Sequence, residues 1–247
     1  MNAEIIAVGS EMLTPFRMDT NSLYLTEQLN RLGVDVIFKS IVGDDFRRLV
    51  AAAQHGLFRS DIVIFSGGLG PTEDDLTREA VAEALGLTVR RDPEILTRLE
   101  QRFAERGWKM SPNNAKQADV LNGATILPNP NGTAPGQWLS GEFDGREHII
   151  ILLPGPPHEL KALFEAEVRE RLHAKVPPAF LAVRTLKIAM LGESAVDARV
   201  APIYKRYTDV ETTILAGAGE IELHFKTRAP TLDAAQRRVD EIGRAHV

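Results

Sequence analysis

The 247-residue sequence contains no cysteine, and only 6% of its residues are aromatic. The absence of cysteine excludes disulfide bonds and metal sites built on thiolates. No apolar run reaches the ~18 residues that a membrane-spanning helix needs. The N-terminal stretch MNAEIIAVGSEML also lacks the basic region and long apolar core of a signal peptide. These absences predict a cytoplasmic protein with no membrane partner.

Basic residues are in the minority, since 29 Lys and Arg stand against 34 Asp and Glu, giving a formal net charge of −5. An acidic chain is a poor candidate for binding nucleic acid, which depends on neutralising phosphates with cations. The length predicts one main domain and one smaller domain, at residues 1–173 and 174–247. The stretch AKVPPAF between them is interpreted as a stiff linker.

Short apolar runs alternate with amphipathic stretches in the first part of the chain. AEIIAVG, VDVIFKSIVG and DIVIFSGG have the length of strands, and each precedes a segment whose apolar residues have helical spacing. This alternation predicts an α/β protein with a doubly wound, mostly parallel sheet. Shorter strands and two helices after the linker predict a smaller α+β domain.

Glycine, proline and small polar or acidic residues follow five predicted strands. Ligands of a doubly wound sheet bind outside the carboxyl ends of its strands, so we expect these five turns to surround one site. The candidate residues in the turns are Glu11, Asp44, Gly67, Gly68, Gly70, Thr72, Asp75, Asn131, Thr133, Gly155, Pro156 and Pro157.

The stretch SGGLGPTEDDLT combines a glycine turn with three carboxylates. Backbone N–H groups of such a turn can bind phosphate oxygens, and carboxylates are tolerated there when a divalent cation separates them from the phosphate. The pattern therefore favours metal-assisted chemistry on a phosphate or pyrophosphate. Structural alternatives remain open: Thr72 and Asp75 form a capping-box pattern, and Asp44 and Asp45 could cap a helix.

Six ordered motifs resemble the competence/damage-inducible protein A (CinA) family: AVGSEML, DTNSLYLTEQLNRLG, VGDD, SGGLGPTEDDLT, NPNGTAPG and LPGPPHEL. The resemblance covers residues 1 to about 170, and the tail is similar to the family's small KH-like domain. It implies a molybdopterin-binding-protein fold and a metal-dependent ADP-ribose pyrophosphatase. Such an enzyme uses Mg²⁺, Mn²⁺ or Co²⁺, releases AMP and ribose 5-phosphate, and contributes to pyridine nucleotide recycling.

On this hypothesis Asp75 and Asp44 bind the metal or position water, and Glu11 assists them. The three glycines and Thr72 bind phosphate, while Asn131, Thr133 and the turn 155–157 close over the substrate. The alternative hypothesis is a non-catalytic module of a longer CinA-type protein that binds molybdopterin or a nucleotide.

The resemblance also implies a homodimer and, in longer members, a C-terminal deamidase domain that this sequence does not include. The final predicted helix reaches Val247 without a cap, which favours a fragment over a naturally short member. Related cofactor proteins carry an arginine where Asp74 stands here, and an acid at this place suits an added metal ion. The tail shows no GXXG clamp for RNA, because AGAGE is interpreted as a turn.

Overall fold

The computed structural model describes residues 1–177, 179–217 and 219–246. Contacts between residues divide the chain into two units. The first unit comprises Met1–Leu29 and Val34–Lys175, and the second comprises Asn30–Gly33 and the chain from Val176 onward. The first unit contains a six-stranded and a two-stranded sheet, and the second contains a three-stranded sheet.

Eight strands and six helices precede the second unit's sheet. The strands are β1 (Asn2–Val8), β2 (Asp35–Val42), β3 (Ile62–Ser66), β4 (Val89–Arg91), β5 (Asp119–Leu121), β6 (Thr125–Leu127), β7 (Gly136–Phe143) and β8 (Arg146–Leu153). The helices are α1 (Thr20–Arg31), α2 (Phe46–Arg59), α3 (Thr77–Leu85), α4 (Pro93–Glu105), α5 (Pro157–Leu163) and α6 (Arg169–Lys175). Two 3-10 helices cover Ser10–Leu13 and Pro112–Ala118, and a π-helix, Phe164–Val168, joins α5 to α6.

The six-stranded sheet has the order β2-β1-β3-β8-β7-β6. Strands β2, β1, β3 and β8 pair in parallel, whereas β7 and β6 are antiparallel to their neighbours. The prediction of a doubly wound, mostly parallel sheet is therefore confirmed. The chain passes from β1 to β2 on one side and then crosses to β3 on the other. The strand order thus changes direction between β1 and β3, and a crevice opens at such a point.

The centre of the sheet is apolar on both sides, as the unbroken hydrophobic sequence of β3 predicts. All five residues of β3 are buried. One face packs against α2 and α3, where Val63 and Phe65 share a core with Leu49, Ala53 and Val81.

Local sequence signals set several element boundaries. The Asp45 side chain accepts the backbone N–H of Arg48 and begins α2. Asp92 does the same for α4, whose first residue is Pro93. The β7–β8 hairpin turns at Asp144–Gly145, a dipeptide typical of hairpin turns, and both residues have positive φ.

The start of α3 differs from the prediction. The capping-box pattern places the N-cap at Thr72, but α3 begins at Thr77 and its N-cap residue Leu76 makes no side-chain capping bond. The capping interpretation of Thr72 is therefore wrong for α3. The Asp75 side chain does bond back to Thr72, but it does so within a separate turn before the helix.

The second unit alternates β-α-β-β-α. Its elements are β9 (Phe180–Ala189), α7 (Glu193–Tyr204), β10 (Glu211–Ala216), β11 (Glu220–Ala229) and α8 (Leu232–Ala245). The sheet order is β10-β11-β9, antiparallel throughout, around a core that includes Leu223, Phe225 and Val239. Pro178 of the predicted linker, Ala218 of AGAGE and Val247, which the predicted final helix reaches, lie outside the described residues. Across the described part of the chain, no helix has the length and apolar character needed to span a membrane.

Candidate functional site

A cavity of about 670 Å³ lies at the carboxyl ends of β1, β3 and β8. Residues that follow these strands line it, together with Asp44 after β2 and Thr133 in the loop before β7. This is the crevice beside the change in strand order, where ligands of such sheets bind. The predicted site residues that line it are Glu11, Asp44, Gly67, Gly68, Gly70, Thr72, Asp75, Thr133, Gly155, Pro156 and Pro157.

The glycine turn after β3 forms one wall. Gly67 and Gly68 have φ of 109° and 68°, where a β-carbon would be strained. The Thr77 hydroxyl donates to the Gly67 carbonyl at 2.8 Å, and the Thr77 N–H donates to the Gly68 carbonyl at 3.3 Å. Among the described residues, no acceptor takes the backbone N–H of Gly68, Leu69 or Gly70. The turn therefore offers N–H donors to an anionic ligand.

The Asp75 carboxylate is held by one of its two oxygens. Oδ2 accepts the Thr72 N–H at 2.8 Å and also contacts the Thr72 hydroxyl. The carboxylate lies so close to Gly70 that a β-carbon at position 70 would collide with it. Within the described chain Oδ1 has no donor, so Asp75 presents one fixed, free oxygen to a ligand.

Asp44 is fixed by a reciprocal pair of hydrogen bonds. Its Oδ2 accepts the Ser10 N–H at 2.7 Å, and its own N–H donates to the Ser10 hydroxyl at 2.9 Å. This pair ties the turn after β2 to the turn after β1. The helix-cap alternative therefore applies to Asp45 and not to Asp44.

Glu11 lies in the 3-10 helix that follows β1. Its carboxylate folds back over Gly9, where a β-carbon would collide with it. No donor in the described part of the chain bonds to this carboxylate, so both of its oxygens are available.

The opposite wall contains an acid that sequence analysis did not include among the site residues. Glu159 Oε2 accepts the Asn129 side-chain amide at 2.7 Å, and the same amide donates to the Ala134 carbonyl at 2.8 Å. Glu159 and Ala134 both line the cavity. The nearby Thr133 hydroxyl accepts the side-chain amide of Gln117 at 2.8 Å.

Asn131 differs from the other predicted site residues, because it is not part of the cavity lining. Its N–H donates to the Asn129 side chain at 3.2 Å, and its own amide donates to the His158 carbonyl at 3.4 Å. Asn131 therefore contacts its own loop and the start of α5.

Asn21 is a buried residue of the site that sequence analysis missed. From the first turn of α1 its amide donates to the Ser66 hydroxyl at 2.9 Å and to the Gly155 carbonyl at 2.8 Å. A signal was present, because Asn21 stands one and two helical turns before Leu25 and Leu29, on the buried face of α1. A polar residue at such a position needs a buried partner.

Arg78 is the second missed residue, and it is fully buried. Its Nη2 donates to the Leu69 carbonyl at 2.6 Å, while Nε and Nη1 have no partner among the described residues. Burial lowers the pKa of Arg78, and the charges of Glu79, Asp119 and Asp75 oppose that effect. The guanidinium thus lies behind the glycine turn.

Lys116 places a further cation beside the acidic run. Its ammonium donates to the Thr72 carbonyl at 3.2 Å and lies 3.5 Å from Glu79. The Thr72 hydroxyl, the backbone N–H of Asp74 and the charge of Lys116 together hold the pKa of Asp74 below its usual value. Lys116 thus lies near Asp74 but outside the cavity lining.

The cavity lining is rich in carboxylates, namely Glu11, Asp19, Asp44, Asp74, Asp75 and Glu159. Arg17 is the single Lys or Arg among the lining residues. The described residues hold no group of three or more His, Cys, Asp or Glu side chains suited to a metal ion. Carboxylate oxygens are ligands of hard divalent cations, which often take one or two of them together with ligand phosphates and water.

Two family models match this chain. The family described as a probable molybdopterin-binding domain matches residues 4–174, and the damage-inducible protein CinA KH domain matches residues 183–245.

Relatives and a solved structure agree with these matches. CinA-like proteins of Koribacter versatilis and Solibacter usitatus are 57% and 54% identical over 98% of this chain. The chain spans 58% and 57% of their lengths. A crystal structure of CinA from Thermoplasma acidophilum, of unknown function, is 34% identical with a TM-score of 0.62, covering 68% of this chain and 96% of that one. The chain therefore belongs to the CinA family, with a molybdopterin-binding-like domain followed by a CinA-type KH domain.

Proposed function

We propose that the chain hydrolyses the pyrophosphate of ADP-ribose in a metal-dependent reaction, giving AMP and ribose 5-phosphate for pyridine nucleotide recycling. One observation carries the proposal: the cavity presents N–H groups of a glycine turn that have no acceptor among the described residues, beside Asp44 and Asp75, each fixed through one carboxylate oxygen. A pyrophosphate needs donors for its oxygens, and a cation that reduces its charge needs carboxylate ligands.

The glycine turn would bind the phosphates. The N–H groups of Gly68 and Gly70 supply donors without a side chain in the way. Thr133 and the turn at Gly155–Pro157 line the other side of the cavity and would contact the rest of the nucleotide.

Asp75 and Asp44 would hold Mg²⁺, Mn²⁺ or Co²⁺ through their free oxygens. A bound ion of this kind reduces the charge of the phosphates and lowers the pKa of a bound water. In the hydrolysis the water oxygen bonds to one phosphorus while that phosphorus loses its bond to the bridging oxygen. Glu11, whose oxygens are available, accepts the proton that the water loses.

The test compares two neighbouring aspartates. Asp44 lines the cavity, whereas Asp45 caps α2 outside the lining. We expect wild type to release AMP from ADP-ribose only with a divalent metal, and Asp44→Asn and Asp75→Ala to lower kcat/KM by about 100-fold or more. Asp45→Asn should keep the wild-type rate and change stability little, because asparagine caps a helix about as well as aspartate. Equal AMP release by wild type and Asp75→Ala would remove Asp75 from the mechanism.

The alternative is a non-catalytic module that binds molybdopterin or a nucleotide. The match of residues 4–174 to a probable molybdopterin-binding domain supports this alternative. Tight binding of AMP or molybdopterin, with no turnover under Mg²⁺, Mn²⁺ or Co²⁺, would support this alternative. In this alternative the catalysis belongs to the deamidase domain of longer family members. The expected homodimer is compatible with either function.

A further inference from the structure

Arg78 carries a charge that the fold does not fully compensate. The side chain is fully buried, and two of its three nitrogens have no partner in the described part of the chain. A buried cation with unpaired donors is costly, so its presence calls for an explanation. The explanation lies in the glycine turn, because the one hydrogen bond of Arg78 runs from Nη2 to the Leu69 carbonyl at 2.6 Å.

The Leu69 carbonyl and the Gly70 N–H belong to the same peptide unit. A trans peptide is planar, and its C=O and N–H point in opposite directions. A donor that binds the carbonyl from the buried side therefore leaves the Gly70 N–H directed away from the buried side. Gly70 lines the cavity, and among the described residues nothing accepts its N–H.

Hydrogen bonds in series also strengthen one another. A cation at the carbonyl end of a peptide polarises the amide and makes its N–H a stronger donor. Charge-assisted bonds are about twice as strong as neutral ones, so a guanidinium is an effective group for this purpose.

We propose that Arg78 is a positioning residue for the phosphate site: through the Leu69–Gly70 peptide it orients the Gly70 N–H and strengthens it as a donor to a phosphate oxygen. The same charge offsets part of the repulsion between a phosphate and the acids that line the cavity. The inference rests on the proposed function only in that the cavity binds a phosphate group, and it does not require the cleavage step.

The experiment follows backbone amide signals by NMR while AMP or adenosine is added. Adenosine carries the same base and ribose without the phosphate. The variants are Arg78→Met, which keeps an apolar stem of similar length, and Arg78→Lys, which keeps a cation. Arg146→Met is the matched control, because Arg146 also donates to a backbone carbonyl, that of Phe58 at 2.8 Å, and does not line the cavity.

In wild type we expect AMP to move the Gly70 amide signal strongly and adenosine to move it little. Arg78→Met should weaken AMP binding by about tenfold or more and change adenosine binding by less than about twofold. Arg78→Lys should recover part of the AMP affinity, and Arg146→Met should match wild type for both ligands.

Several results would overturn the inference. Equal weakening of AMP and adenosine binding would assign Arg78 a purely structural role. Unchanged AMP affinity in Arg78→Met would show that Arg78 has no role in binding the phosphate. If Arg78→Met does not fold, an unmoved Gly70 amide signal in wild type saturated with AMP is decisive against the proposal. AMP binding with no hydrolysis of ADP-ribose would reject the proposed enzyme and leave this inference standing.

Discussion

The side-chain amide of Asn21 donates to the carbonyl oxygen of Gly155 at 2.8 Å, across 134 residues of sequence. The same amide donates to the Ser66 hydroxyl at 2.9 Å. Ser66 ends β3 and Gly155 follows β8, and these two strands are neighbours in the sheet. One buried side chain therefore joins the first turn of α1 to the ends of both strands, at the edge of the cavity.

Replacing Asn21 should affect both stability and binding. Asn21→Ala leaves the Ser66 hydroxyl and the Gly155 carbonyl without this donor, at a cost of about 1–3 kcal/mol. We expect a lower midpoint of urea unfolding and weaker AMP binding. Asn131→Ala is the control, since its 3.4 Å contact lies outside the cavity lining, and it should change stability by less than about 0.5 kcal/mol. Wild-type stability in Asn21→Ala would contradict the bridging role.

Replacing Gly68 by alanine should destabilise the protein more than the same replacement of Gly145, which has a similar backbone conformation. Gly68 and Gly145 have φ of 68° and 75°, but a β-carbon at Gly68 would collide with the Thr77 hydroxyl, whereas Gly145 has open space. Gly145→Ala should cost about 1–2 kcal/mol from backbone strain alone. Gly68→Ala should cost a further 1–3 kcal/mol or so from the collision. Thermal unfolding compares them, and equal losses would show that Thr77 moves aside freely.

The ion pair between Arg59 of α2 and the buried Glu4 of β1 should show strong coupling. Arg59 bonds both oxygens of Glu4 at 2.7 and 2.8 Å, and Glu4 is 1% exposed while the Arg59 side chain is 35% exposed. Arg59→Met leaves a buried carboxylate unpaired and should cost about 2–3 kcal/mol, below the range for fully buried pairs because Arg59 is partly solvated. The double variant with Glu4→Met should recover much of that loss in urea unfolding. Strictly additive losses would mean that the pair is not coupled.

Low pH should destabilise the N-terminus of α4. Burial raises the pKa of Asp92, but the N–H of Ile95, the Arg90 guanidinium and the N–H of Glu94 outweigh it, so the folded-state pKa lies below the ordinary 3.8. A lowered folded-state pKa means that the stabilisation is complete above pH 3.8 and is lost as the pH falls through the folded value.

We therefore expect Asp92→Asn to reduce the drop in unfolding free energy between about pH 4 and pH 2.5, as measured by urea unfolding at each pH. Asp144→Asn, in the exposed hairpin turn where asparagine also accepts positive φ, provides the control. An unchanged acid response in Asp92→Asn would rule out this source of pH dependence.

Local sequence was sufficient for the architecture of the first unit. The apolar run of β3, the proline at the start of α4 and the Asp144–Gly145 turn each depend on neighbours within a few residues. The doubly wound, mostly parallel sheet also followed, because alternating strands and helices allow few right-handed connections. The gathering of five turns at one edge was predictable for the same reason, and all five contribute residues to the cavity.

What the sequence by itself determined was the sheet, its turns and the types of residue at its carboxyl edge. Tertiary structure alone decided which atoms are paired and which are free: Asp44 bonds to Ser10, Asn21 reaches Gly155, and Asn131 lies outside the lining. The burial of Arg78 behind the glycine turn belongs to the same class, although Leu69 is only nine residues away. Periodicity reports which face of an element is apolar, whereas hydrogen bonds depend on distances of a few tenths of an ångström between elements that only packing brings together.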